Sequence, residues 1–423
     1  TMGMLLHFND AERELNAKLK PHLHSIHASL KLNQDITDAN VAILKTILDD
    51  IYEQIKRNDP LFKKICRRLV YTGSYYIRLR TKKADEFDIN LVLDLPFRKG
   101  EFTILDERPG YVGYKVSPAA VNRLLQEGEK DWVHPLLKLI NGENRLVPER
   151  VKRSLQSAFD RVLQTYVIPS GLRSSVARIR PSQSGPAKTF RIILKDGQWI
   201  DVDLVPVIEF RYPNWPSGIE KKDWMDKISP VDRNWFLVPK SPMSNPSMPD
   251  GSHLWRLDFQ NMENRLIQDY GCVKPIIRLL KTTRDSYTWN LSSYSLKTFV
   301  MHQLLAKYDR GYWDPKNQGI LFITVLESLG HALDQPGPAI PFLFHPNVDL
   351  TEKIKIPTKR NISGTIKHIV RKLRESPDRC CELILGESGT PALPNDVTQE
   401  AKFIPYMVHQ TENSGGAWRC LIS

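Results

Sequence analysis

Residues 70–95 admit few folds. Val70-Tyr-Thr-Gly73-Ser74 is followed, after eleven residues, by Glu86-Phe-Asp88-Ile-Asn-Leu-Val-Leu-Asp-Leu95. A strand repeats every two residues, so Glu86 and Asp88 project from one face while Phe87, Ile89, Leu91, Leu93 and Leu95 fill the other. Paired carboxylates suit a hard cation: Mg²⁺ takes one or two protein carboxylates together with waters and substrate phosphates. Gly73 and Ser74 are placed to offer backbone N–H groups and a hydroxyl to those phosphates. Gly-Ser turns and acidic strand faces are each commonplace as solvated surface. The joint pattern carries the functional reading, and it calls for a third carboxylate.

Trp199-Ile-Asp201-Val-Asp203-Leu-Val-Pro-Val-Ile-Glu-Phe210 supplies one. This run also alternates, and it follows Phe190–Leu194 across Lys195-Asp196-Gly197, where Asp-Gly signals a hairpin. Asp201 and Asp203 share a face, so spacing alone does not choose between them. Pro206 lacks an N–H, which places this end of the strand at a sheet edge or bulge.

A chain of 423 residues allows two or three domains, and a formal net charge of +12 favours a polyanionic partner. No stretch reaches the 18 or so apolar residues of a membrane span, and Thr1–Phe8 has no basic flank of a signal peptide, so a cytoplasmic protein without membrane attachment is expected. The five cysteines are scattered, with no C-x₂-C spacing; free thiols and no zinc are expected.

Residues 38–57 repeat apolar positions (Leu44, Ile47, Leu48, Ile51, Ile55) at helical spacing, with Asp38 as N-cap. Asp59-Pro60 interrupts this helix, and Leu61–Leu69 continues it for a turn or two. Strand signals fill 86–210 around a helix near 149–166. Turn residues cluster at 212–218 and 241–251, placing a change of lobe near 216. Helical spacing then recurs at 266–280, 296–308, 320–333 and 362–373. The expected architecture is α+β: a mixed lobe over 1–215, a helical lobe over 216–405 and a loose tail over 406–423.

Positive charge is concentrated ahead of the strand pair. Ten basic residues lie between Lys56 and Lys83 against the single acid Asp59. Lys45, Lys56, Arg57, Lys63, Lys64, Arg67 and Arg68 are the candidates to track a nucleic-acid backbone, with Lys45, Tyr52 and Lys56 opposite the apolar face of the long helix. A solvated helix face is the alternative use of such charge. Lys353–Arg374 is a second basic stretch, with eight positive residues and no acid.

These pieces together resemble the cGAS-like receptors, nucleotidyltransferase-fold sensors that make cyclic dinucleotides on binding double-stranded nucleic acid. The similarity spans about residues 35–350 and rests on Thr72-Gly-Ser-Tyr-Tyr76, Asp85-Glu-Phe-Asp88, Ile200-Asp-Val-Asp203, Phe236-Leu-Val-Pro-Lys240, Trp255-Arg-Leu257, Leu291-Ser-Ser-Tyr294 with Lys297, and Tyr312-Trp-Asp314. The resemblance implies a bilobal fold with a long spine helix, and it makes Glu86, Asp88 and Asp203 the metal-binding catalytic triad, choosing Asp203 over Asp201. It implies Mg²⁺ or Mn²⁺ as cofactor and ATP and GTP as substrates. Ser74, beside Gly73, touches the triphosphate in such a scheme; Arg256 contacts a base, Ser293 a phosphate, and Tyr294 stacks on a nucleobase. Arg278 or Lys281 supplies a further phosphate contact, with Lys274 as another choice.

Between Glu263 and Ile276, where cGAS carries a zinc ribbon, this chain runs directly through Gln268-Asp-Tyr-Gly-Cys272. Members without that insert are associated with double-stranded RNA, which the resemblance therefore favours over DNA as activator, with a dimer on the nucleic acid as one assembly. Asp258 stands where cGAS has serine, leaving base order and linkage open. A catalytically silent interaction protein and a linear oligonucleotide synthetase are the rival readings.

Overall fold

A computed structural model describes residues 8–30, 34–73, 79–81, 86–182, 188–240, 242 and 251–386. The chain forms two compact units, Leu32–Gln268 and a second built from Asp269 onward together with the N-terminal helix. That helix is α1 (Asp10–Ser29).

The first unit begins with α2 (Gln34–Asn58) and α3 (Pro60–Ile65). It continues through β1 (Cys66–Thr72), β2 (Glu86–Leu93), β3 (Phe102–Arg108), β4 (Tyr111–Val116), α4 (Pro118–Glu127), α5 (Lys130–Leu137) and α6 (Pro148–Thr165). β5 (Val176–Ser182), β6 (Lys188–Leu194), β7 (Trp199–Phe210), β8 (Trp235–Val238), β9 (Leu254–Asp258) and α7 (Gln260–Gln268) complete it. The strands form one mixed sheet in the order β1-β2-β7-β8-β9-β4-β3, with β6 also paired to β7 and β5 beyond it. β2 and β7 run parallel, as a crossover through intervening helices allows.

α2 buries the predicted stripe: Leu44, Ile47, Leu48, Ile51 and Ile55 are all nearly inaccessible. Each contributes about 1.5–3 kcal/mol relative to exposure. The helix starts at Gln34, so Asp38 lies inside it instead of capping it, and accepts a bond from Gln34 Nε2 at 2.7 Å. Nothing in Gln34-Asp-Ile-Thr37 breaks a helix, and Asp35 suits the positive end of its dipole. The interruption at Asp59-Pro60 falls where expected: Asp59 accepts from the Phe62 N–H at 3.1 Å and Pro60 takes the first helical position of α3. The continuation is shorter than read, because β1 begins at Cys66.

β7 is a central strand, which rules out the edge in the expectation of an edge or bulge at Pro206. One side pairs with β2 from Asp201 to Ile208; the other pairs with β6 as far as Leu204 and with β8 from Ile208. Pro206 sits at the hand-over between those two neighbours, where its missing N–H leaves no ladder bond unmade.

The change of lobe falls at Gln268/Asp269 and not near 216. The first turn cluster, 212–218, lies inside the sheet unit, since β8 and β9 follow it and complete its sheet, while most of 241–251 lies outside the described residues. The helical pattern at 266–280 is likewise two helices, α7 and α8 (Val273–Ser286), parted at Tyr270-Gly271. A Cβ on Gly271 would stand 2.6 Å from Pro315 Cγ, so the chain passes there only as glycine.

The second unit contains α8, α9 (Ser293–Ala306), α10 (Gln318–Asp334), the short β10 (Pro341–Phe342) and β11 (His345–Asp349), α11 (Ile356–Glu375) and α12 (Cys380–Leu385). α10 is apolar nearly all round and is packed by α1, α8, α9 and α11, as a core helix requires. Among the described residues no helix is long and apolar enough to cross a membrane. The 406–423 tail lies outside the described residues.

Candidate active site

β1, β2 and β7 lie side by side, and their register sets the site. Thr72 opposes Asp88, while across the parallel pair Glu86 stands beside Asp201 and Asp88 beside Asp203. Neighbouring strands are about 4.8 Å apart, so Glu86, Asp88 and Asp203 present their carboxylates on one face. Asp88 is buried, and further along the same face Val92, Val205 and Val207 join a buried hydrophobic cluster. Burial first, then the charges of Asp203 and Glu86, push the Asp88 carboxyl well above the usual carboxylate range, and Arg80 offsets this in part.

Asp201 is committed elsewhere. Arg191, its cross-strand partner on β6, holds both carboxylate oxygens at 2.7 and 2.8 Å, and the guanidinium lies 4.8 Å from the Trp199 ring. Asp203 is instead in register with Asp88, and its charge acts on that carboxyl, which distinguishes two residues that spacing left equivalent.

Gly73 closes the site from β1. It adopts φ +82°, and a Cβ there would lie 2.3 Å from Asp88 Oδ2. Thr72 Oγ1 donates to the Asp88 carbonyl at 3.0 Å, tying the turn to β2. Gly73→Ala is therefore expected to displace the Asp88 carboxylate, lowering any transfer activity about 10²-fold. Initial rates beside thermal melts check this: a site effect drops the rate in protein that still melts cooperatively. Ser74 lies outside the described residues.

Glu86 faces Arg80 at 3.6 Å. Among the described residues no three carboxylate, histidine or cysteine side chains close into a ready-made ligand set. The donor chemistry nevertheless fits a divalent ion: hard oxygens only, mutually repelling, with Asp88 desolvated. Arg80 and Arg191 are the two residues of this face that sequence reading passed over. In sequence Arg80 is one of the ten basic residues of the 56–83 run, and Arg191 shows itself only through cross-strand pairing.

The other candidates divide between the units. In the sheet unit, Arg256 lies on β9 between Tyr111 of β4 and Val238 of β8, and Asp258 accepts the Gln260 N–H at 2.8 Å, starting α7. In the helical unit, Lys281 is buried on α8. Arg278 lies near His27 of α1; burial, then the Arg278 charge and that of His24, hold that imidazole down at about 4. Ser293 Oγ accepts from Arg284 at 2.9 Å. The Tyr294 ring is 5 % exposed, with Phe342 6.5 Å away.

Along α2–β1, Arg57, Lys63 and Arg67 are exposed, Arg67 being 3.8 Å from Asp94. Lys45, Lys56 and Lys64 rest on the rings of Tyr71, Tyr52 and Trp132 at 5.6, 4.9 and 5.0 Å, and Lys56 also meets Glu53 at 3.1 Å. Arg68 differs from the rest: it grips the buried Glu209 through two bonds of 2.9 Å. The second basic stretch is partly paired in three dimensions, since Lys359 meets Asp349, Lys367 meets Asp334 and Arg374 meets Glu327.

The sheet unit thus carries a parallel β2–β7 pair with neighbouring carboxylates beside a glycine turn, and it falls within a nucleotidyltransferase domain. Residues 75–269 match the Mab-21 protein nucleotidyltransferase domain and residues 272–368 the Mab-21 protein HhH/H2TH-like domain. The chain is 28 % identical to a cyclic GMP-AMP synthase-like receptor of Aethina tumida, over 84 % of this chain and 87 % of that one. It is 27 % identical to that of Tribolium castaneum (89 % and 97 %) and 30 % identical to that of Nicrophorus vespilloides (79 % and 87 %). The chain belongs to the Mab-21 nucleotidyltransferase family, within the cGAS-like receptors.

Proposed function

We propose that the protein is an innate immune sensor of the cytoplasm that joins ATP and GTP into a cyclic dinucleotide when double-stranded RNA binds it. The single observation that carries this reading is the register placing Asp203 beside Asp88 and two strand positions from Glu86's row. Glu86, Asp88 and Asp203 would hold Mg²⁺ or Mn²⁺, which when bound lowers the charge on the triphosphate and supports in-line attack by a ribose hydroxyl at the α-phosphorus. Gly73 admits the chain close to Asp88. Thr72 fixes the turn, and Arg191 keeps Asp201 out of the ligand set. Arg256, Ser293, Tyr294 and Lys281 or Arg278 are the proposed nucleotide contacts.

Support for a duplex activator comes from charge, and the choice of RNA follows the resemblance. Lys45, Lys56, Arg57, Lys63, Lys64 and Arg67 suit phosphate contacts, and A-form RNA is read mainly by shape, phosphate and 2′-hydroxyl. The lone Cys272 in the 263–276 stretch donates its thiol to the Asp314 carbonyl, a packing role.

The test is incubation with all four NTPs, Mg²⁺ or Mn²⁺, and either duplex RNA or duplex DNA, followed by mass analysis after phosphatase treatment. A phosphatase-resistant cyclic product formed with RNA is the expected result. A ladder of linear oligomers, or no product across duplexes and metals, would overturn the proposal.

A further inference from the structure

Arg80 stands among the carboxylates. Its Nη1 donates to the Glu86 carbonyl oxygen at 3.1 Å, and Nη2 lies 3.6 Å from Glu86 Oε2. The Arg80 side chain is only 14 % exposed and the adjoining Leu79 is 3 % exposed, so the guanidinium is packed in and is not a solvated arm. Its charge also reaches Asp88. Guanidinium stays protonated at any working pH, so this positive charge cannot be titrated away.

Three clustered carboxylates repel one another, and one of them is desolvated. A metal-free enzyme needs a counter-ion there, and Arg80 supplies it. An incoming divalent cation meets a like charge at Glu86.

We propose that Arg80 is a built-in counter-ion of the carboxylate cluster, which must leave Glu86 before a divalent cation binds and so sets the metal concentration at which the site fills. This rests on the metal-dependent reading above. A displaced guanidinium is well shaped to take two phosphate oxygens, so a metal arriving with a triphosphate removes Arg80 more readily than metal alone.

Mn²⁺ titration of the full chain, read by the electron paramagnetic resonance of free Mn²⁺ without RNA, tests this independently of activity. Arg80→Met is expected to bind Mn²⁺ about tenfold tighter than wild type, the effect of removing one nearby like charge in a partly screened site. Arg80→Lys keeps the charge and should stay near wild type, and adding Asp88→Asn to Arg80→Met should abolish the gain. Thermal melts establish that each variant is folded, and Arg80→Gln replaces Arg80→Met should the latter not melt cooperatively. Equal or weaker Mn²⁺ binding by the variant, with wild type binding normally, would overturn the inference alone. No binding by either protein, even with ATP present, would overturn the metal reading and this inference together.

Discussion

Asp203→Asn is expected to lower nucleotidyl transfer by about 10³-fold or more, whereas Asp201→Asn costs less than about tenfold. The two residues share a strand and a face, and only their partners separate them. Asp203 is in register with Asp88 and its charge raises that carboxyl, while Asp201 is closed off by both nitrogens of the Arg191 fork. Losing one ligand charge from a site that stabilises a transferring phosphoryl group forfeits several kcal/mol, and about 4 kcal/mol is 10³ in rate. Asparagine keeps the shape and removes a charge that opposes ionised Asp88, so the metal-free protein should melt no lower than wild type. Initial rates with labelled ATP, GTP and duplex RNA, beside thermal melts, check both halves. Equal losses in the two variants would mean that register does not select the ligand.

Arg68→Ala is expected to destabilise the sheet unit by about 2–4 kcal/mol, because it strands a buried carboxylate. The Glu209 side chain is 4 % exposed, and after the loss of Arg68 it keeps, among the described residues, Asn234 at 2.8 Å and Arg211 at 3.3 Å. Burial alone raises the Glu209 carboxyl; the bonds from Arg68 and Asn234, the Arg68 charge and the bond from Arg211 outweigh it and hold the group at about 2. A folded value below the ordinary 4.5 means stability that is complete above about pH 4.5 and drains away as pH falls towards 2. Denaturant unfolding at pH 7 and across pH 3–4.5 should show the deficit at pH 7 and a shallower acid slope in the variant. Unchanged stability with weakened RNA binding would instead return Arg68 to the nucleic-acid surface.

Much of this site is legible in the sequence because strand period and carboxylate spacing are local properties. The strands at 86–93 and 199–210, the Asp-Gly hairpin and the Asp59-Pro60 break all appear in the fold where the residues place them, although β2 is buried on both faces. What escaped is set by partners distant along the chain. Whether Asp201 or Asp203 is available depends on β6 pairing, and Arg68 and the Lys353–Arg374 stretch read as free charge until Glu209, Asp334, Asp349 and Glu327 come alongside. The lobe boundary was misplaced because proline- and glycine-rich loops look alike inside a domain and between domains. α1, α4 and α5 carry no clear helical signal in the sequence. The last two lie within a region dominated by strand signals, and proline interrupts α1 at Pro21 and α5 at Pro135.

Anomalous scattering from crystals soaked in Mn²⁺ and a non-hydrolysable ATP analogue tests the central claim most directly. The account predicts density for the ion bridging Glu86, Asp88 and Asp203, with Asp201 still held by Arg191. An ion bound at Asp201, or none beside Asp88 while the nucleotide is present, would contradict it.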